Sequence, residues 1–262
     1  LKNGLTSKFR ERATNTVQLW ANRTSKPYKG YQSGRNLSFT EKELNQVDEE
    51  VAEMTDQSPV IEKYLTITNK SEYGNYPVRG VVPYYKKIFN LKFDEKGGRF
   101  INEQDMSSNR KVIVIDKKIE EVLFKNESAL GKFVKVDQVM FQIVGINSKK
   151  ENWGEGNAYI PYSTAQMVFN PDKKFRSIAM TIDGLETEEE NDAFNKKLTS
   201  TLSQTMTFDP EDTQALWIRN SQRDYIETMK IFNGITLFVS IIGIFTLIAG
   251  IVGVSNIMLA IR

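Results

Sequence analysis

The sequence contains neither histidine nor cysteine, so the side chains that could do chemistry are carboxylates, ammonium and guanidinium groups and hydroxyls. That removes thiol nucleophiles, disulfides, imidazole proton shuttles, histidine-based triads and His/Cys zinc sites from this chain. The absence of cysteine leaves the redox compartment open. Glu103 and Asp105 are the kind of carboxylate pair that general acid–base chemistry uses. With 33 Asp and Glu residues in the chain, however, nothing in their spacing sets these two apart, and no catalytic site is expected. A net charge of +2 gives no bulk attraction to nucleic acid, so none is expected as a partner.

The spacing that stands out is suited to packing. From Ile231 to Ile261 no residue is charged, a run longer than the roughly 20 helical residues that cross a bilayer. A transmembrane helix is expected over 231–261. Within it Ser240, Gly243, Thr246, Gly250, Gly253 and Asn256 follow one another at steps of three and four, which lines one helix face with small and polar residues. Such a stripe lets a second helix approach closely in lipid, where an asparagine facing the acyl chains is costly. Upstream, Asp209-Pro210-Glu211-Asp212 has the composition of a helix start. Ala215, Ile218, Gln222, Tyr225 and Met229 then repeat at three and four as a heptad-like seam. Together these predict one helix of about 50 residues, on the order of 75 Å, entering the bilayer, with Asn233-Gly234 as its one candidate break.

The elements that must carry this helix alternate in type. Leu1, Leu5, Phe9 and Ala13 give a helical spacing over 1–15. Strands are expected at 16–21, 60–68 and 76–82, and a helix opening at Thr40, with Glu43 completing a capping box. The middle reads as β-rich. "KVIVID" at 111–116 suits a buried strand, 117–125 a short helix, 132–136 and 139–146 a hairpin around Asp137-Gln138, and 158–160 a further strand. A brief helix follows, with Ser163 as its expected cap. A strand at 176–183, a capping-box helix from Thr187 and Glu190, and a brief strand at 206–208 complete the body. The class is α+β: a βαβ-like part over 16–82 and 173–209 with a β-rich subdomain inserted over 83–172. The start is basic, with Lys2, Lys8, Arg10, Arg12, Arg23, Lys26 and Lys29 against Glu11. It reads as a solvated face or as a contact with lipid headgroups.

Several stretches in this order resemble the periplasmic core domain of MacB-like ABC transporter permeases. They are "GVVPYYKKIFNLKFDEKGGRFINEQD" (80–105), with its Pro-x-Tyr and its Gly-Arg-Phe followed by an acid, then "KVIVIDKKIEEVLF", "ALGKFVKVDQVMFQIVGI" and "AYIPYSTAQ". "GIVGVSNIMLAIR" resembles that family's second transmembrane helix. One departure is Ser128-Ala129, where many relatives carry proline before Leu-Gly-Lys. The resemblance implies a porter-like α/β part with an inserted β-rich part, carried on stalk helices at 1–15 and 210–230. It also implies a permease of four transmembrane helices in the bacterial inner membrane, with this domain extracytoplasmic between the first two. The implied partners are a second permease copy or a paralogue, a cytoplasmic ABC ATPase and a periplasmic adaptor or lipoprotein. ATP and Mg would sit on the ATPase, with no cofactor in this chain.

Mechanical transmission from ATPase to outer domain, for efflux or lipoprotein release, is the implied activity. The basic start would be called cytoplasmic by the positive-inside rule, but large domains translocate largely regardless of charge. A rival reading is a membrane-anchored extracytoplasmic sensor or receptor domain signalling to a cytoplasmic module. Two further hydrophobic spans after Arg262 would distinguish the permease. The four Asn-x-Ser/Thr sites (Asn22, Asn36, Asn69, Asn126) are expected by chance in a chain this rich in asparagine.

Overall fold

A computed structural model describes residues 15–94, 96–125, 127–148 and 156–260, with backbone alone at 253 and 255–260. The helix expected over 1–15 and most of the basic start lie outside the described residues.

Two βαβ units interleave to form the first sheet. β1 (Thr16–Ala21), α1 (Glu41–Glu50) and the first half of β2 (Met54–Asn69) make one unit. β8 (Ser177–Ile182), α6 (Glu188–Met206) and β9 (Leu216–Asn220) make the other. The strands lie side by side as β9-β1-β8-β2, every pair antiparallel, which is the ferredoxin-like split βαβ order. Alternation sends Val17, Leu19, Ile178 and Met180 to one face, where Val47 of α1 and Phe194, Leu198 and Leu202 of α6 cover them. Both helices start as the local signals predict. At α1, Thr40 and Glu43 exchange hydrogen bonds across the first turn, and Thr187 and Glu190 do the same at α6.

β2 is long enough to leave this sheet and enter a second structure. Its second half pairs with β3 (Glu72–Val81), and β3 pairs in parallel with β7 (Ala158–Pro161). β7 pairs with β4 (Val112–Asp116), β4 in parallel with β6 (Val139–Asn147), and β6 with β5 (Phe133–Val136). β5 returns to β2 at Ile67 and Thr68, so the six strands close into a small barrel. Ile67, Val78, Ile113, Val134, Phe141 and Ile143 fill its interior. The expected boundary at 82/83 therefore falls after β3, which pairs only with barrel strands. Around the barrel lie α2 (Tyr85–Ile88), α3 (Glu103–Ser107), α4 (Lys117–Phe124) and α5 (Tyr162–Phe169). Ser163 does not cap α5, which starts at Tyr162 directly after Pro161. Its hydroxyl donates instead to the carbonyl of Met106 at 2.7 Å.

The largest departure from the expected course lies between 206 and 221. α6 continues to Met206, where the strand 206–208 was expected. Thr207 then turns left-handed (φ 52°), and the Arg35 guanidinium caps the helix by donating to the carbonyls of Met206 (2.8 Å) and Thr207 (2.5 Å). Residues 209–212 form a turn and not a helix start. The buried Asp212 carboxylate accepts from the Ser25 amide and hydroxyl (both 2.6 Å), the Lys26 amide (3.0 Å) and the Gln214 amide (3.1 Å). Burial pushes this carboxyl up, and those donors outweigh it and hold it below the usual carboxylate range. Replacing Asp212 by Ala leaves four partly buried donors without their acceptor. The variant should lose about 2 kcal/mol, read as a melting temperature lower by about 4–8 °C; an unchanged melting curve would contradict the staple.

Candidate functional site

The carboxylates that could have formed an acid–base pair do not converge. Glu103 faces solvent, whereas Asp105 is fully buried and engaged. Arg99 grips it with two guanidinium nitrogens (2.5 and 3.0 Å), Arg110 lies 3.7 Å away, and it closes a capping box with Asn102. Burial pushes the Asp105 carboxyl up, and Arg99 together with the Asn102 amide holds it below its ordinary value. Asp105 thus fastens the Gly-Arg-Phe strap to the start of α3. Among the described residues no cluster of three or more acidic side chains could hold a metal ion. An open concavity beside α2 is lined by Pro83, Tyr84, Lys86, Lys87, Asn90 and Leu91. Its Lys87 pairs with Asp56 at 2.7 Å, and its Lys86 ammonium sits over the Phe93 ring at 5.1 Å.

The candidate site is the junction from which α7 (Ser221–Ala260) leaves the folded body. α7 is a single helix of 40 residues, about 60 Å long. By length and composition Ser221–Val252 can cross a membrane, and no part of its most apolar window is buried within the chain. Leu237, Phe238, Ile244, Phe245, Leu247 and Ile251 are each at least 60% exposed, an apolar surface that water does not tolerate at this extent. The stripe residues Ser240, Gly243, Thr246 and Gly250 lie exposed on this helix, with none of the other described residues packed on them. A Cβ added at Gly243 or Gly250 would meet no atom within 4 Å, so neither glycine serves a contact among the described residues. Ser240 and Thr246 donate their hydroxyls back to the carbonyls of Thr236 and Ile242, which satisfies them in lipid without a partner. For Gly253 and Asn256 the structure gives helical backbone alone.

The five seam residues do not form one helical face. Ala215 is fully buried just before β9, and Ile218 sits on β9 against the core; only Gln222, Tyr225 and Met229 lie on α7, half-buried. Leu216–Asn220 pairs with β1 along its whole length, so the helix begins at Ser221, not near 210. Leu216, Ile218 and Asn220 face inward while Trp217 and Arg219 face out, and Trp217 stacks on Trp20 with ring centroids 4.6 Å apart.

Side chains that the sequence spacing did not reveal make the junction. Asn220 is buried and caps α7, accepting from the amides of Gln222 (3.1 Å) and Arg223 (3.2 Å). Its amide nitrogen donates to Asn191 of α6 at 2.9 Å, and Asn191 is itself fixed by donating to the carbonyl of Thr187 at 2.7 Å. Arg223 pairs with Asp192 of α6 at 2.8 Å and with Glu227 one turn along at 3.2 Å. Lys230 pairs with Glu188 in the first turn of α6. The Lys230 hydrogen bond and charge hold the Glu188 carboxyl below the usual range. Glu188 and Asp192 stand four apart on one helix, and Arg223 and Lys230 seven apart on the other. That complementary spacing was legible locally, but which helix it faced was not.

The family model of the MacB-like periplasmic core domain matches residues 1–200. The macrolide export ATP-binding/permease protein MacB of Wolinella succinogenes is 32% identical over 202 residues, covering 72% of this chain and 29% of that protein. The Pasteurella multocida protein of the same name is 26% identical over 98% of this chain and 38% of its own length. The chain therefore spans about a third of these relatives. Among solved structures, the periplasmic region of MacB from Actinobacillus actinomycetemcomitans superposes with a TM-score of 0.65 at 21% identity, covering 86% of this chain and 97% of that one. The extracellular domain of the ABC-type transporter YknZ from Gram-positive bacteria gives 0.63 at 19% identity, covering 79% of this chain and all of that one. These two likenesses concern the fold, which is the mixed α+β body described above. The family match takes in more than half of the chain, β1 through most of α6 included, and on that ground the chain belongs to the MacB-like periplasmic core domain family of ABC transporter permeases.

Proposed function

We propose that this chain is the extracytoplasmic body and one membrane helix of an ABC transporter permease that works as a dimer, and that α7 carries the motion of a cytoplasmic ATPase into that body. ATP and its Mg ion belong to the ATPase. The stripe at Ser240, Gly243, Thr246, Gly250, Gly253 and Asn256 is the surface on which membrane helices meet. The observation that carries the reading is that β1 starts and α7 begins at the same end of the sheet. Val17 of β1 stands opposite Asn220 of β9, so the chain enters the sheet beside the point where α7 leaves it. The start of β1 and the start of α7 thus lie at one end of the body, as the attachment points of two legs reaching a membrane must. The bulk of the chain then lies outside the inner membrane, and the cargo is a drug, a peptide or a lipoprotein, with an adaptor or lipoprotein as an extracytoplasmic partner.

Breaking the leg between body and membrane tests this. Asn233 lies on α7 just past Lys230, and proline there removes a helical hydrogen bond and clashes with the preceding turn, costing about 3 kcal/mol locally. This chain has no cysteine, so Tyr73→Cys on the exposed barrel rim is its one label site once any cysteine elsewhere in the permease and its ATPase is replaced. In the full permease with its ATPase in liposomes, ATP should change the distance between the two Tyr73→Cys labels. With Asn233→Pro added, ATP hydrolysis should continue while that change disappears. The same change in both proteins would sink the lever.

A further inference from the structure

The junction touches α7 at more than one place along its axis. A helix fastened at one place is free to swing about it, whereas fastening at two places along its axis fixes a line. The buried Asn220–Asn191 pair is the first fastening, at the very start of α7. The second is a row of charges. Arg223 meets Asp192 within the first turn, and Lys230 meets Glu188 two turns further on, about 10 Å down the axis. Lys230 is also the last charged residue before the uncharged run, so this outer fastening sits at the edge of the membrane-crossing stretch.

We infer that Glu188 and Lys230, with Asp192 and Arg223, are positioning residues that hold α7 at a set angle to α6, and so set how movement of the membrane helix is delivered to the body. The fastening is directional but light. Both pairs lie at the protein surface, where such contacts are individually weak. Asn220 and β9 keep the helix attached, so release of the charges frees the angle without detaching α7. The surroundings of Lys230 make reversal of its charge informative. Its ammonium lies in the field of Glu188, Glu189 and Glu227, and a carboxylate put there would be repelled by all three.

This inference rests on the lever reading, and its test uses no nucleotide, so the two can fail separately. The full permease in liposomes, its labelled copies diluted with an excess of unlabelled ones and any cysteine outside this chain replaced, carries paired spin labels at Lys196→Cys, on the exposed face of α6, and Asn233→Cys, on α7 below the junction. The background protein should give one narrow distance peak. Lys230→Glu should lose it to a broad distribution, and Glu188→Lys with Lys230→Glu should restore it. Lys230→Arg should keep the narrow peak throughout. Salt at 1 M, where screening acts within about 3 Å, should broaden the peak of the background protein. Melting of the folded body should be the same in all of them, because Asn220 and β9 are untouched. A narrow peak in Lys230→Glu, or a double reversal that stays broad, would overturn the inference. A clamp that behaves as described, beside an Asn233→Pro protein that still moves with ATP, would leave the clamp standing and remove the lever.

Discussion

Gly145→Val is expected to cost at least about 4 kcal/mol, the range of severe core lesions, and to lower the melting temperature by about 10 °C. Gly145 lies on β6, where the strap formed by Gly97, Gly98 and Arg99 crosses it. Gly98 bridges Gly145, the Arg99 amide donates to the carbonyl of Val144 at 2.9 Å, and the Ile146 amide donates to the carbonyl of Gly97 at 2.7 Å. A Cβ at Gly145 would stand 2.0 Å from the Arg99 carbonyl oxygen and 3.0 Å from the Phe93 ring. The first of these is backbone and cannot rotate away. β6 cannot yield either, since β4 pairs with its other edge from Gln142 to Asn147 and the register already slips by one residue beside Gly145. The strap must therefore lift, losing both of its hydrogen bonds and uncovering the buried Phe100. Gly98 faces the same wall from the other side: its φ is +77°, and a Cβ there would meet the Val144 carbonyl at 2.4 Å. Tryptophan fluorescence on heating, in detergent, would read the loss. A Gly145→Val protein melting within about 2 °C of the unaltered one would show that the strap is not pinned.

That pair of glycines illustrates what the sequence disclosed and what it withheld. The Gly-Arg-Phe stretch was recognisable as a pattern, but the reason for its glycine is a crossing between residues nearly fifty positions apart. Signals confined to one turn were legible: Thr40 with Glu43 and Thr187 with Glu190 cap their helices as their spacing demands. β4 and the β5–β6 hairpin were legible too, because a short apolar run and a two-residue turn are local facts. The barrel was not, since its closure depends on β3 finding β7 in parallel across the whole middle of the chain. The spacing over 215–222 predicts a helix where β9 forms, for a definite reason. Leu216, Ile218 and Asn220 alternate as a strand requires, while Ala215, Ile218 and Gln222 also satisfy a step of three and four. Pairing with β1 decides between them, and that partner lies two hundred residues away. The candidate site divides along the same line. The uncharged run and its small-residue stripe announce a membrane helix, whereas the junction is built from contacts between α6 and α7 that no single window contains.

Asp105→Asn is expected to cost about 3 kcal/mol at neutral pH, the scale for breaking one side of a buried ion pair, and the deficit should depend on pH in a direction fixed by the site. The carboxylate accepts from both terminal nitrogens of Arg99 and from the Asn102 amide, every one a donor. Asparagine keeps the volume but offers one acceptor atom and one amino group, so an N–H must face an N–H and Arg99 is left without its countercharge. Arg99 is partly exposed and water recovers some of that loss, which keeps the figure below the upper end for buried pairs. The Asp105 carboxyl is depressed in the folded protein, so its contribution is fully present above the unfolded value near 3.9 and is lost as the pH falls through the folded one. Below that point the unaltered protein carries a neutral side chain as well, and it loses the advantage it held over the variant. Melting temperatures of the two proteins should therefore stand well apart at pH 7 and draw together between about pH 5 and pH 2. A gap that stayed constant across that range would mean that packing, and not the charge on Asp105, fastens the strap to α3.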